Sequence, residues 1–340
     1  MSTVAAPAPP VDSAPAGADL RKRVLDGVRR IAPIAVPLLL LMLLPALGIN
    51  QQDALVRATP FILTGLAVAV PARAGLVNVG GEGQLFMGAA GAAAVAFTID
   101  GSLPSIIGIA LVMLGGAAGG VAWMAVAALL RLGAKVNEVI ATLLLNYVAL
   151  SLLAYLVFSV WRDPGAAGEA ITPELDASLL LPTLGQTTLV NYGLFIAIGA
   201  VVLVWLLVDR SRWGFRASVV GGNPEAARRA GLPVNRTLIA ALLVGGALAG
   251  LAGAIEVAGI ETRLRTGIGF GFGYIGFLAS WMVGHRPAWI VSAGLLLAGI
   301  AVYGDSLQID YGLPARTVYI VMAGVLLIVL SVRGGAGKRG

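Results

Sequence analysis

A chain of 340 residues that is 58% hydrophobic and only 12% charged, with a mean hydropathy of +0.91, cannot cover a water-facing surface, since a soluble domain carries about 25% charged residues. The absence of cysteine and the single histidine, His285, exclude disulfides, thiolate metal sites, thiol catalysis and any site built on two imidazoles. The net charge of +6 reads as membrane topology and not as nucleic-acid binding, because the positive charges sort to one side.

The apolar mass is Ala, Leu, Val and Ile with 46 glycines, and small residues let helices approach closely where lipid replaces water. Barrel strands alternate apolar and polar residues over about ten positions, whereas the runs here are continuously apolar and longer. The expected fold is therefore all-α, a polytopic membrane protein of about ten transmembrane helices.

Residues 1–19 are Ala/Pro-rich and read as a disordered tail, followed by Arg21, Lys22, Arg23, Arg29 and Arg30. Together 1–30 form a cytoplasmic segment, disordered and then basic. No small-residue cleavage site follows, so the first helix is expected to stay uncleaved. Residues 31–332 form the membrane domain and 333–340 a cytoplasmic tail. Charges punctuate that domain into uncharged runs at 30–53, 57–73, 82–100, 100–131, 138–162, 176–209, 236–256, 265–286, 286–305 and 316–333. A span needs roughly 20 residues, so each run fits one helix. The run 57–73 is short and suggests an interrupted span; the run 100–131 has room for a loop or a tilted helix.

With the amino terminus inside and the runs alternating, only Arg57, Arg162, Arg263, Arg265 and Arg316 of the 23 Lys and Arg fall outside. The positive-inside rule is satisfied, and both termini are expected in the cytoplasm. Residues 162–190, which include Asp163, Glu169, Glu174 and Asp176, form the outer loop; the arginine-rich 209–236 faces the cytoplasm. Glycines at 115, 116, 119 and 120, and at 245, 246, 250 and 253, suit close helix crossings.

Four segments depart from a plain lipid span. In Gly75–Gln84, glycines interleave with Asn78, Glu82 and Gln84. Each Gly costs about 1 kcal/mol in a helix relative to Ala, and a carboxylate at depth costs about 2.5–3.5 kcal/mol. The segment is either a broken helix that lines a pathway or a turn at the cytoplasmic surface. In the next segment, Glu138, Thr142 and Asn146 recur every four residues and share one helix face, beside Tyr147. A buried amide there needs a partner, on another helix or on a ligand. Gly267–Phe277 alternates glycine with aromatics, including Phe272 and Tyr274, as either a flexible aromatic wall or ordinary packing. In the segment Trp213–Gly231, Asn223-Pro224 is a helix-start signal and Gly231 a helix stop. They enclose a two-turn helix outside the bilayer, suited to docking another protein or to pairing its arginines with anionic headgroups.

Three stretches in order, Gly75 to Gln84, Asn137 to Tyr147 and Gly222 to Gly231, resemble the permease subunits of ABC importers in the ribose/branched-chain-amino-acid permease superfamily, nearest to the branch serving nucleosides and simple sugars. The resemblance covers most of 55–330. The sequence departs from the pattern at Ile275, where related permeases often carry a small or polar residue, and matches least well at His285-Arg286-Pro287.

The resemblance implies two transmembrane repeats around a central pathway in the inner (plasma) membrane. It also implies a second, homologous or identical permease, two nucleotide-binding ATPase subunits and an external substrate-binding lipoprotein. It makes the chain a transport subunit and not an enzyme, with no cofactor of its own, ATP and Mg being bound by the partner ATPases; no Walker A loop occurs in the sequence. On this reading Asn78, Glu82, Gln84, Thr142, Asn146, Tyr147, Phe272 and Tyr274 line the substrate pathway. Asn223, Pro224, Glu225, Ala226, Ala227 and Gly231 couple to the ATPase. The expected cargo is a nucleoside or related sugar compound; the alternatives are a ribose-like sugar or another small solute, or an ion-coupled secondary transporter using Glu82, Glu138 and Glu256.

Overall fold

The computed structural model describes residues 31–166 and 168–312, together with 320, 322–324 and 327. The expected tails 1–30 and 333–340, and most of the span expected at 316–333, lie outside the described residues. Among the described residues the chain is helical, with two isolated antiparallel bridges, Ile171 to Arg265 and Thr183 to Asn191.

In chain order the helices are α1 (Ile31–Leu47), α2 (Gln51–Arg73), α3 (Gly81–Ile99), α4 (Ser105–Gly133), α5 (Glu138–Tyr155), α6 (Gly193–Trp205), α7 (Arg212–Gly222), α8 (Pro224–Arg229), α9 (Val234–Glu256), α10 (Phe272–Met282) and α11 (Pro287–Tyr311). Wider π-helical turns extend α5 to Val160, α6 to Arg210 and α9 to Glu261. Seven of these segments are long and apolar enough to cross a membrane. The chain is a multi-pass membrane protein.

Two spans differ from the charge-delimited runs. The interruption expected within 57–73 does not occur: α2 starts six residues before Arg57, where the Asn50 side chain accepts from the Gln52 amide at 2.9 Å, and runs unbroken to Arg73. Arg57 lies inside the helix, paired with Asp305 of α11, so a paired charge does not end a span. Pro60 and Pro71 also lie inside α2, as membrane helices tolerate when neighbours satisfy the freed backbone groups. The run 265–286 is not one full helix. Its first part is turns, with Gly269 and Gly271 at φ +59° and +88°, and only the eleven residues of α10 are helical. The run 100–131 holds a single helix, α4, about 43 Å long at 1.5 Å per residue.

The glycine rows make the crossings. A methyl on Gly120 of α4 would lie 2.1 Å from the carbonyl oxygen of Gly246 in α9, and one on Gly253 of α9 would lie 2.1 Å from that of Leu85 in α3. These three helices thus meet backbone to backbone. At a second meeting point, a methyl on Gly276 of α10 would fall 2.0 Å from Thr64 Oγ1 of α2, and one on Gly65 would strike Ile290 of α11 at 2.8 Å.

Ion pairs join neighbouring segments at both ends of the bundle. At one end Arg57 meets Asp305 and Glu174 meets Arg263. At the other Arg73 lies 3.8 Å from Asp209, and Arg131 pairs with Glu138.

Candidate functional site

Two helix breaks meet inside the bundle. From the arginine-rich end, α2 stops at Arg73 and the coil 74–80 turns back beside it: Asn78 Nδ2 donates to the carbonyl of Ala67, at 3.1 Å, six residues before the end of α2. From the opposite end the turns 262–271 descend to the start of α10. Thr64 Oγ1 donates to the carbonyl of Phe272 at 3.1 Å, which places that start beside the inner part of α2. The Glu82 carboxylate, in the first turn of α3, accepts from the backbone N–H of Gly271 and from that of Gly273, the latter at 2.8 Å. It therefore caps α10 from another helix. These N–H groups belong to the unsatisfied start of a helix, where the positive end of the helix dipole favours an anion.

The amides hold the coil. Gln84 Nε2 donates to Asn78 Oδ1 at 2.9 Å while Asn78 Nδ2 donates to Gln84 Oε1 at 3.1 Å, and Gly80 N–H donates to Asn78 Oδ1 at 2.9 Å. Helix α5 grips the same coil: Val79 N–H donates to Thr142 Oγ1 at 3.3 Å, Asn146 Nδ2 to the Val79 carbonyl at 3.0 Å, and Gly83 N–H to Asn146 Oδ1 at 2.9 Å. Asn146 Nδ2 also reaches the Tyr274 hydroxyl of α10, at 3.3 Å. One asparagine thus ties α3, the coil, α5 and α10 together, and the partner its burial requires is other backbone.

Of the eight residues read as lining a pathway, the fold unites Asn78, Gln84, Thr142, Asn146 and Tyr274 in one hydrogen-bonded cluster, with Glu82 adjoining it through α10. Phe272 stacks edge-on against Phe61, ring centroids 5.1 Å apart. Tyr147 turns away from the cluster and is 63% exposed; Tyr274 is 38% exposed on its outward side, and Phe270 also faces out. Sequence reasoning missed the backbone acceptors at Ala67 and Val79 and the donors at Gly271 and Gly273, which no side chain advertises. Glu138 pairs with Arg131, and no hydrogen bond joins Glu256 to the cluster among the described residues.

The second set of expected residues lies at the arginine-rich end. Asn223 caps α8, accepting from the Glu225 and Ala226 amides at 3.1 and 3.0 Å. Gly231 takes the left-handed conformation, φ +78°, that ends the helix. Pro224, Glu225, Ala226 and Gly231 are exposed, and Glu225 is bonded to Arg228 at 2.8 Å and to Arg229 at 3.4 Å. Ala227 alone is buried and seats the helix on an apolar cluster that includes Ala74, Leu76 and Val220. Asn223→Ala should weaken α8 by about 1 kcal/mol, the usual worth of a cap, read as faster amide exchange across 224–229 with α9 unchanged.

Residues 51–330 match the family described as "Branched-chain amino acid transport system / permease component". The chain belongs to this family. It is 36% identical over 292 residues to the glucose ABC transporter permease protein TsgB13 of Haloferax volcanii, covering 82% of this chain and 75% of that one. It is 35% identical over 277 residues to the guanosine ABC transporter permease protein NupP of Bacillus subtilis, covering 80% and 78%. To the nucleoside ABC transporter permease protein NupB of Lactococcus lactis it is 28% identical over 278 residues, covering 79% and 76%. The permease is thus the membrane component of an ABC importer; membership of the family implies the partners typical of such importers, and the ion-coupled alternative is set aside.

Proposed function

We propose that this permease forms one wall of the pathway for a nucleoside or a related sugar compound, and that the wall is the outward side of α5 and α10 where Tyr147 and Tyr274 stand. The observation that carries this reading is the depth of the two exposed tyrosines. Tyr147 lies nine residues into α5 and Tyr274 eight residues before the end of α10, each about 12–14 Å from the arginine-rich end at 1.5 Å per residue. Membrane tyrosines favour the headgroup interfaces; hydroxyl-bearing rings this deep and this exposed suit a watery path between subunits better than lipid. Aromatic faces pack a planar base, and their hydroxyls bond the polar groups that base and ribose present. The Asn78–Asn146 cluster behind them acts as the frame that sets the position of Tyr274.

Two relatives named for guanosine and nucleosides favour a nucleoside cargo. A sugar is the second reading, favoured by the relative named for glucose.

The rest of the assembly follows the same reading. The chain has ten spans in two repeats, with both termini and the loop 209–236 in the cytoplasm. The contact pattern supports the repeat: α2 packs on α10 and α11 as α9 packs on α3 and α4, with α2 against α9 and α3 against α10. A second permease faces the α5/α10 wall, two ATPase subunits receive α8 through Asn223, Pro224, Glu225, Ala226, Ala227 and Gly231, and an external lipoprotein delivers cargo to the outer loop 162–190.

The test is ATP hydrolysis by the complex co-purified from its host, reconstituted with its binding protein. Guanosine or adenosine should stimulate hydrolysis, and glucose or ribose should not. Stimulation by the sugars alone would transfer the assignment to the second reading. Tyr147→Ala and Tyr274→Ala should each raise the cargo concentration needed for half-maximal uptake; unchanged uptake in both would remove the α5/α10 wall from the pathway.

A further inference from the structure

Helix α7 ends on two glycines that meet different surroundings. Gly222 is exposed, and a methyl there would touch nothing within 4 Å. On Gly221 a methyl would lie 2.7 Å from the Arg73 carbonyl oxygen, 2.8 Å from the Ala74 carbonyl carbon and 2.8 Å from the Gly75 nitrogen. The facing residue is also glycine: Gly75 has φ +75°, and a methyl on it would lie 3.0 Å from both Cα and O of Gly221. The end of α7 and the start of the coil 74–80 thus touch backbone to backbone, with no side chain between them to absorb movement. Helical geometry does not ask for glycine at 221, where it costs about 1 kcal/mol relative to alanine; the contact does.

We propose that Gly221 is a positioning residue, the seat through which motion of α8 is passed to the coil 74–80 and so to the α5/α10 wall. This rests on the reading of α8 as the element gripped by the ATPase. The joint has a second point beside the first: buried Ala227 of α8 packs in the same apolar cluster as Ala74 and Leu76 of the coil and Val220 of α7. Beyond the joint the coil has little freedom. Leu76 N–H donates to the Pro71 carbonyl at 3.1 Å, and Val79 is held on both its backbone groups by Thr142 and Asn146. Asn146 in turn holds Tyr274. Packed elements shift as units and do not deform gradually, so a shear of α7 and α8 against 74–76 is transmitted along hydrogen bonds to Tyr274.

The experiment compares Gly221→Ala with its neighbour Gly222→Ala in the complete complex. Both add one methyl and both raise helix propensity; only the first opens the joint. Gly221→Ala should insert, co-purify with the ATPase and keep basal hydrolysis, while stimulated hydrolysis and uptake fall about tenfold, an ordinary size for a lost coupling. Gly222→Ala should behave as wild type. Wild-type stimulation in Gly221→Ala, or an equal fall in both variants, overturns the proposal.

If Gly221→Ala fails to assemble, hydrogen exchange on the wild-type complex decides. Trapping the ATP-bound state should change protection across 74–80, and unchanged protection overturns the proposal. The combined variant Glu225→Ala/Gly231→Ala separates the two readings. If it uncouples hydrolysis while Gly221→Ala does not, the joint fails and the ATPase grip stands; if it stays fully coupled, the grip itself fails.

Discussion

Glu82→Ala is expected to leave a chain that inserts but melts far below wild type and carries no cargo, with Glu82→Gln between the two. The alanine variant strips the acceptors from the Gly271 and Gly273 N–H groups at the buried start of α10. Each unsatisfied buried donor costs about 1–3 kcal/mol, so the pair loses about 2–6 kcal/mol, a large part of a membrane domain's margin. Glutamine keeps one carbonyl oxygen and can serve one of the two donors. The wild-type balance explains why a carboxylate is tolerated at this depth. Its insertion cost of about 2.5–3.5 kcal/mol is met by two hydrogen bonds to a charged group, about 1.5–3 kcal/mol each, and by the α10 dipole, about 0.3–2 kcal/mol. Thermal melting of the detergent-solubilised chain, followed by size-exclusion chromatography, reads the stability; uptake in vesicles reads the function. A wild-type melting temperature in Glu82→Ala would show that those N–H groups are satisfied without it.

The sequence made the bundle legible because lipid punishes every charge that is not paired or at a surface. Runs without Asp, Glu, Lys or Arg therefore marked α3, α4, α5, α9 and α11 closely. The same rule failed at Arg57, where pairing with Asp305 across some 250 positions of chain lets a charge sit inside α2. It failed again at 265–286, because hydropathy does not distinguish an apolar turn from an apolar helix; the alternating glycines of 267–273 were the available signal. At the site, Asn78, Gln84, Thr142 and Asn146 stood out as polar residues at depth. That they bond chiefly to one another and to the backbone of 78–83 was not readable, since the acceptors at Ala67 and Val79 belong to residues with apolar side chains. The periodicity of α5 did separate the faces, with Thr142 and Asn146 inward and Tyr147, one residue on, outward.

Gly250→Leu should abolish the folded bundle, and Gly250→Ala should damage it, while Gly199→Ala should be neutral or slightly stabilising. Both glycines sit in spanning helices, so composition and hydropathy do not tell them apart; the backbone around them does. A methyl on Gly250 of α9 would lie 2.3 Å from the Gly116 carbonyl oxygen and 2.8 Å from the Gly120 nitrogen and Cα of α4, and Gly88 of α3 presses on Gly250 from another side. Those atoms are main chain, so no rotamer change relieves the clash and whole helices must separate. Overpacking of this kind costs about 1–3 kcal/mol, occasionally more, against about 1 kcal/mol gained in helix propensity, which leaves alanine destabilising and leucine beyond what the crossing can absorb. At Gly199 of α6 a methyl meets nothing within 4 Å, so only the propensity gain remains. The yield of monodisperse, protease-resistant protein ranks the three. Equal yields would mean that α3, α4 and α9 do not meet at their glycines.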